Sequence, residues 1–296
     1  MSKLRRRRNR HARTGWVMVA PVLFGFVLFV VYPVITVIRD SFTSYNPLSG
    51  EAAFIGIDNY TRLITDGTAI TVAKNTFIFA LLLVPVNMIL ALTLALFLNA
   101  NFAGRTGFRA VFFSPVVVST VAWTIVWRYI LQDDGPINFG LSKVGVDGAN
   151  WLQDGSWPMI SVVMVQVFKN VGMNMVFFLA ALQGVPDDMY EAAEIDGASR
   201  PTQFRFITLP FISPTILLVS VLTIAGAFQV FAQVLLLTGG GPGLSTTVLA
   251  YYIYLTAFKI FELGYASALA TVLFAFIMIL TIAQWRLRKR WSFRED

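Results

Sequence analysis

The sequence predicts an all-α integral membrane protein of one domain, with six transmembrane helices and both termini in the cytoplasm. Three observations carry this. Hydrophobic residues make up 56% of the chain and charged residues 13%, more apolar surface than a soluble core of this length uses. Apolar runs of about 20 residues recur, each long enough to cross a bilayer core of about 30 Å. The basic residues gather at the ends and in alternate loops, as the preference of Lys and Arg for the cytoplasmic side requires.

The six runs lie at about 16–38, 75–98, 110–131, 159–183, 211–237 and 264–285. The chain divides into a basic tail 1–14, a transmembrane domain 15–285 and a second basic tail 286–296. Tail 1–14 holds seven Lys/Arg, and the C-terminal tail holds five (Arg286, Arg288, Lys289, Arg290, Arg294). Loops 99–109 and 184–210 add two each, while the longer loops 39–74, 132–158 and 238–263 share five. Both ends are therefore cytoplasmic, which demands an even number of spans. Residues 244–258 are apolar but short and rich in Tyr, so they read as an interfacial or re-entrant piece on the outer face. The first run, Trp16 to Ile38, exceeds a signal-peptide core, and no small-x-small cleavage site follows it. Its basic tail reads as an orientation signal touching anionic lipid, and no nucleic acid is expected as a partner.

Several chemistries are excluded. There is no cysteine, and the one histidine, His11, sits in the basic tail, so neither a thiolate metal site nor histidine acid–base catalysis is available. All 16 acidic residues fall outside the six runs, which leaves no intramembrane carboxylate as a proton relay. Only Arg128 and Lys169 carry charge inside them, and Arg128 lies near an outer end, from which it can snorkel. None of the six lysines follows a glycine, so no phosphate-binding loop exists. Uphill movement of a solute needs a motor on another chain. Sodium coupling through backbone carbonyls stays open as the alternative, an ion-coupled secondary transporter.

The cytoplasmic loop 184–210 is the most informative stretch. Pro186 and Asp187 open a short helix whose acids Asp187, Asp188 and Glu191 lie near its positive dipole end. Gly197 suits a left-handed helix stop. Ser199 and Pro201 start a second short helix, and Pro210 opens the fifth run. Small Ala192 and Ala193 allow close approach of another surface, and Glu191 offers a carboxylate to an arginine. A loop resting on lipid headgroups is the competing reading.

Glu191-Ala192-Ala193, then Gly197, then Ile207-Thr208-Leu209-Pro210 resembles the EAA loop of permease subunits in binding-protein-dependent ABC importers. The six-span layout, the long outer loop after the first span and the run Leu237 to Pro242 look like the carbohydrate branch, and the chain is similar to its maltose-type F subunits. The resemblance implies the type I importer permease fold and a multi-pass place in the bacterial cytoplasmic membrane. It implies a second, similar permease subunit, two copies of a cytoplasmic ATPase and an extracytoplasmic binding protein. Glu191, Ala192, Ala193, Asp196, Gly197, Leu209 and Pro210 would form the ATPase-coupling elbow. No cofactor is expected on this chain; ATP and Mg would belong to the ATPase.

Polar side chains inside a bilayer should face the bundle interior. On the fourth run Gln166, Asn170 and Asn174 recur every four residues, with Lys169 on their flank. Thr223, Gly226, Gln229 and Gln233 share a broad face of the fifth, and Ser119, Thr120, Trp123 and Trp127 a face of the third. Asn87 follows Pro85, where a kink would free backbone groups. Amides, hydroxyls and indoles suit a polyol or sugar ring, so Ser119, Trp123, Gln166, Lys169, Asn170, Asn174, Thr223 and Gln229 are candidates for a substrate pathway. The alternative for each is interhelical adhesion. Lys169 either meets amides and backbone carbonyls or attracts an anionic solute. The Gly239–Gly243 run lacks the lysine of a phosphate cradle and reads as a turn. Trp151 and Trp157 read as interfacial anchors, in a loop placed to touch a binding protein.

Overall fold

The computed structural model describes residues 16–48 and 50–291. The basic tail 1–14, and residues 292–296 of the C-terminal tail, lie outside the described residues. Twelve helices run in order: α1 Trp16–Asp40, α2 Asp58–Thr65, α3 Gly67–Asn99, α4 Arg105–Val117, α5 Thr120–Ile130, α6 Pro136–Lys143, α7 Trp157–Leu182, α8 Asp187–Ile195, α9 Arg200–Phe228, α10 Ala232–Leu237, α11 Leu249–Phe258 and α12 Leu263–Trp291. Five of them are long and apolar enough to span a membrane, and α4 with α5, counted together as one bent span, brings the number to six.

The described residues fall into two compact units. One contains residues up to 64 and 253–272. None of the spanning window of its α1 is buried. The segment after α1 folds onto α2 through Asn59, whose amide donates to the carbonyls of Ser41 and Thr43 at 2.9 Å each. Ser41 and Tyr60 hydroxyls meet at 2.6 Å. Gly264 is required here: a Cβ would lie 2.0 Å from the Thr43 carbonyl oxygen. Arg62 pairs with Glu262 at 2.8 Å and lies over the Tyr265 ring.

The other unit, residues 65–252 and from 273 onward, is built around α7. Its core joins Ala91, Ala95 and Leu98 of α3, Met175 and Phe178 of α7, and Ile212 and Val219 of α9. Ala91 and Ala95, one turn apart, let α3 approach closely, as small residues do where lipid supplies no hydrophobic driving force. At Gly172 the approach of α4 is tighter still, for a Cβ would sit 2.0 Å from the Phe112 carbonyl oxygen.

Three expectations need correction. The run 110–131 is not one straight rod: α4 and α5 meet at 104°. Pro115 removes a helical donor, and Val118 and Ser119 are extended, with ψ 138° and 137°. The fifth span does not reach 237. It ends at Phe228, and α10 begins at Ala232 after Gln229 and Phe231 leave helical geometry. Gln233 therefore leaves the face shared by Thr223 and Gly226. Finally, the second short helix of the cytoplasmic loop is not separate. Residues 200–228 form one helix of 29 residues.

Continuity through Pro210 depends on a π-turn at Phe204–Thr208, where the Leu209 N–H reaches the Phe204 carbonyl. A proline ring clashes with the carbonyl four residues earlier, and widening the preceding turn relieves this without ending the helix. The same device recurs in α1: a π-turn at Val27–Val31 directly precedes Tyr32-Pro33.

Candidate functional site: a cytoplasmic elbow and a polar seam

The elbow forms where the sequence places it. Helix α8 carries Asp187 and Asp188 in its first turn, against the positive dipole end. Gly197 stands at φ 74°. Its N–H reaches the Glu194 carbonyl at 3.0 Å, and the Ala198 N–H reaches Ala193 at 2.8 Å. This pair of bonds closes a left-handed helix stop, and α9 begins three residues later. One pin joins the limbs, the Tyr190 and Thr208 hydroxyls at 2.8 Å, and the Gln203 amide steadies the turn by donating to the Ala198 carbonyl at 3.3 Å. Glu191, Ala192, Asp196 and Gly197 are exposed, Ala193 is half-buried, and Ile195 is 87% exposed. Leu209 and Pro210 lie just past the π-turn, where the elbow's second limb becomes the span. Tyr190 and Thr208 were missed from sequence. The available signal was a ring and a hydroxyl on the two limbs that a turn at Gly197 folds together.

The candidate pathway residues divide. Asn174 and Thr223 are buried and bonded together: the Asn174 amide donates to the Thr223 hydroxyl at 3.0 Å and to Asn87 Oδ1 at 2.5 Å. Asn87 donates onward to the Val167 carbonyl at 3.3 Å. These three residues tie α3, α7 and α9 into one seam. Asn87 is fully buried, and its position mid-run was the sign of a partner. Gln166 is buried, and its Oε1 has no hydrogen-bond partner. Asn170 is half-buried and Gln229 exposed. Ser119 is exposed at the break between α4 and α5. The Trp123 indole donates to the Val165 carbonyl at 3.1 Å, and the Trp127 ring stacks on Phe168.

Lys169 is 7% exposed. Its ammonium donates to the carbonyls of Pro115 at 2.6 Å, of Val116 at 3.4 Å and of Val118 in a short contact. Backbone carbonyls, one of the two readings left open by the sequence, receive this charge.

On the outer side, the Leu237–Gly243 run folds as a turn. The Thr246 and Thr247 hydroxyls donate to the Gly241 and Gly240 carbonyls, and a Cβ on Gly240 would strike Thr247 Oγ1 at 2.4 Å. Arg128, Gln132, Asp133, Asn150 and Gln153 line a cavity of about 620 Å³ beside it. Trp151 does not extend as a free anchor: its indole donates to Asn138 Oδ1 at 2.7 Å and its ring meets Trp157 edge-on.

Residues 76–293 match the family described as binding-protein-dependent transport system inner membrane component. The chain belongs to this family. It is 33% identical to the multiple sugar-binding transport system permease protein of Streptococcus mutans, over 94% of this chain and 96% of that one. It is 32% identical to the lactose transport system permease protein of Rhizobium radiobacter, covering 91% and 92%. A bacterial alginate ABC transporter crystallised with its periplasmic protein has a chain that superposes with TM-score 0.84 at 24% identity, covering 95% of this chain and 96% of that one. This family member is thus a multi-pass permease subunit of the inner membrane, with the importer permease fold. Nothing in these comparisons supports the ion-coupled alternative.

Proposed function

We propose that this permease subunit forms the translocation pathway for a sugar or a related polyol or glycerol-phosphate-like solute, and takes its energy from a separate cytoplasmic ATPase. Two ATPase copies, a second, similar permease subunit and an extracytoplasmic binding protein complete the assembly. The chain itself is not an enzyme and holds no cofactor; ATP and Mg reside on the ATPase.

One observation carries this reading. The exposed elbow α8–Gly197 leads into a helix that runs unbroken from Arg200 to Phe228. A push on α8 therefore acts on a rigid lever that reaches Thr223, within the polar seam. The exposed acids Glu191, Glu194 and Asp196 suit a basic cleft, and exposed Ile195 gives that contact an apolar tip. The names of the relatives favour a sugar. Gln166 holds a buried, unpartnered oxygen, which would accept from a solute hydroxyl once the helices rock apart. Asn170 and Gln229 are the further amides open to it. Loop 132–158 and its polar cavity form the surface on which a binding protein would unload.

Co-purification tests the wiring. The assembled complex should retain a soluble ATPase, and Glu191→Lys should lower that retention severalfold while leaving the two permease subunits together. Full retention by the variant removes the elbow from the coupling path.

A further inference from the structure

A broken helix within the bilayer depth leaves carbonyls that no water can satisfy. Helix α4 ends at Val117, so the last carbonyls of its ladder have no intrahelical donor. The carbonyl of Val111, which would face the N–H that Pro115 lacks, takes the Ser114 hydroxyl at 2.8 Å instead. The carbonyls of Pro115, Val116 and Val118 all turn to one ammonium, that of Lys169. An ammonium has three protons to donate, and three carbonyls receive them. The negative end of the α4 dipole also favours a cation there. Lys169 thus needs no carboxylate.

The surrounding contacts repeat the pattern. Val165, Lys169 and Gly172 fall on one face of α7 at spacings of four and three residues. Val165 receives the Trp123 indole, Lys169 holds the break, and Gly172 lets the Phe112 backbone lie against α7. Three successive contacts fasten α4, the bend and α5 to a single rod.

We infer that Lys169 is a positioning residue: its ammonium clamps the break of the third span against α7 and so sets Ser119 and Trp123 in the pathway, and it does not itself meet the transported solute. The inference rests on the pathway reading above for Ser119 and Trp123 alone. The other occupant of that charge would be an anionic solute, and the two roles separate experimentally.

The chain has no cysteine, so introduced thiols report without background once the partner subunits are also cysteine-free. Spin labels at Val111→Cys and Tyr129→Cys, both exposed positions, bracket the 104° bend in the complete complex in lipid. The bend keeps them within about 20 Å, whereas a straight helix of 18 steps would separate them by about 27 Å. Lys169→Met should shift the distance distribution toward the longer value. Lys169→Gln, which keeps amide donors, should retain part of the short population. In parallel, Ser119→Cys is labelled with neutral N-ethylmaleimide and with a sulfonated maleimide. The Met and Gln variants should change both rates by the same factor. Unchanged distances in either variant overturn the clamp. So does a loss confined to the sulfonated reagent, which would mean that the ammonium is free to draw anions. Should the Met variant fail to assemble, the Gln variant decides by the same two readings. Retention of the ATPase, measured on the same samples, reports on the importer reading separately.

Discussion

Helices α1 and α7 are nearly the same length, 25 and 26 residues, yet none of the spanning window of α1 is buried and 67% of that of α7 is. The buried helix is the more polar one. It carries Gln166, Lys169, Asn170 and Asn174, while α1 carries no amide or charge before its terminal Arg39 and Asp40. In water the apolar helix would be the buried one. In lipid the preference inverts, because a polar group in hydrocarbon is costly until another helix satisfies it, while an apolar face loses nothing by meeting acyl chains. Polarity within a span thus marks the centre of the bundle.

The contrast can be broken at glycine. Gly172 of α7 has the Phe112 backbone where its Cβ would be, and Gly25 of α1 has nothing within 4 Å. Gly172→Ala should destabilise the protein by about 1–3 kcal/mol or prevent its assembly, because a carbonyl cannot step aside as a side chain can. Gly25→Ala should be neutral or stabilise α1 by up to about 1 kcal/mol. Thermal unfolding of the purified subunit in detergent compares them. A Gly25→Ala cost that arises only in the full complex would locate a partner on α1.

The polar seam offers a smaller effect. Asn87→Leu and Asn174→Leu, singly and together, should yield a coupling of about 0.6 kcal/mol in a double-mutant cycle, the average for hydrogen bonds between spans, and at most about 1.7 kcal/mol. No coupling would mean that the amides serve the pathway alone. The corresponding polar change in α1, Val30→Asn, should leave the subunit's fold intact, since the Val30 side chain is exposed, and should alter mainly the partition of α1 into lipid.

The smallest effect lies in the elbow. Thr208→Val removes the 2.8 Å contact with Tyr190 and should cost about 1 kcal/mol or less in stability. Its larger consequence should be looser coupling, read as ATP hydrolysis that persists without solute uptake. Pro210→Ala should allow the π-turn at Phe204–Thr208 to relax to an α-turn, rotating the elbow relative to the span by about one residue, 100°.

Much of the elbow was legible because its determinants are local. The dipole-facing acids and Gly197 act within a turn or two of the chain, and Pro210 acts on the turn just before it. The six-span layout was equally legible, since apolar length and basic placement are properties of the chain against a membrane. The interior was not. Whether an amide such as Asn174 bonds a solute or Asn87 depends on what lies across a helix interface, 87 residues away in sequence. The break at Val118 and the partners of Lys169 depend on the same kind of distant approach, made possible by Gly172.

By itself, then, the sequence determined the number of crossings, their orientation and the position of the elbow, because each follows from short-range chemistry or from the contrast between lipid and water. Only the tertiary structure decided that the third span bends by 104°, that the elbow continues into one long lever and that a buried lysine is held by backbone. The lever rests on a π-turn whose geometry the residue pattern does not announce. The bend and the lysine's partners arise where segments far apart in the chain satisfy each other's polar groups, and no single segment contains the information to say with which partner it will do so.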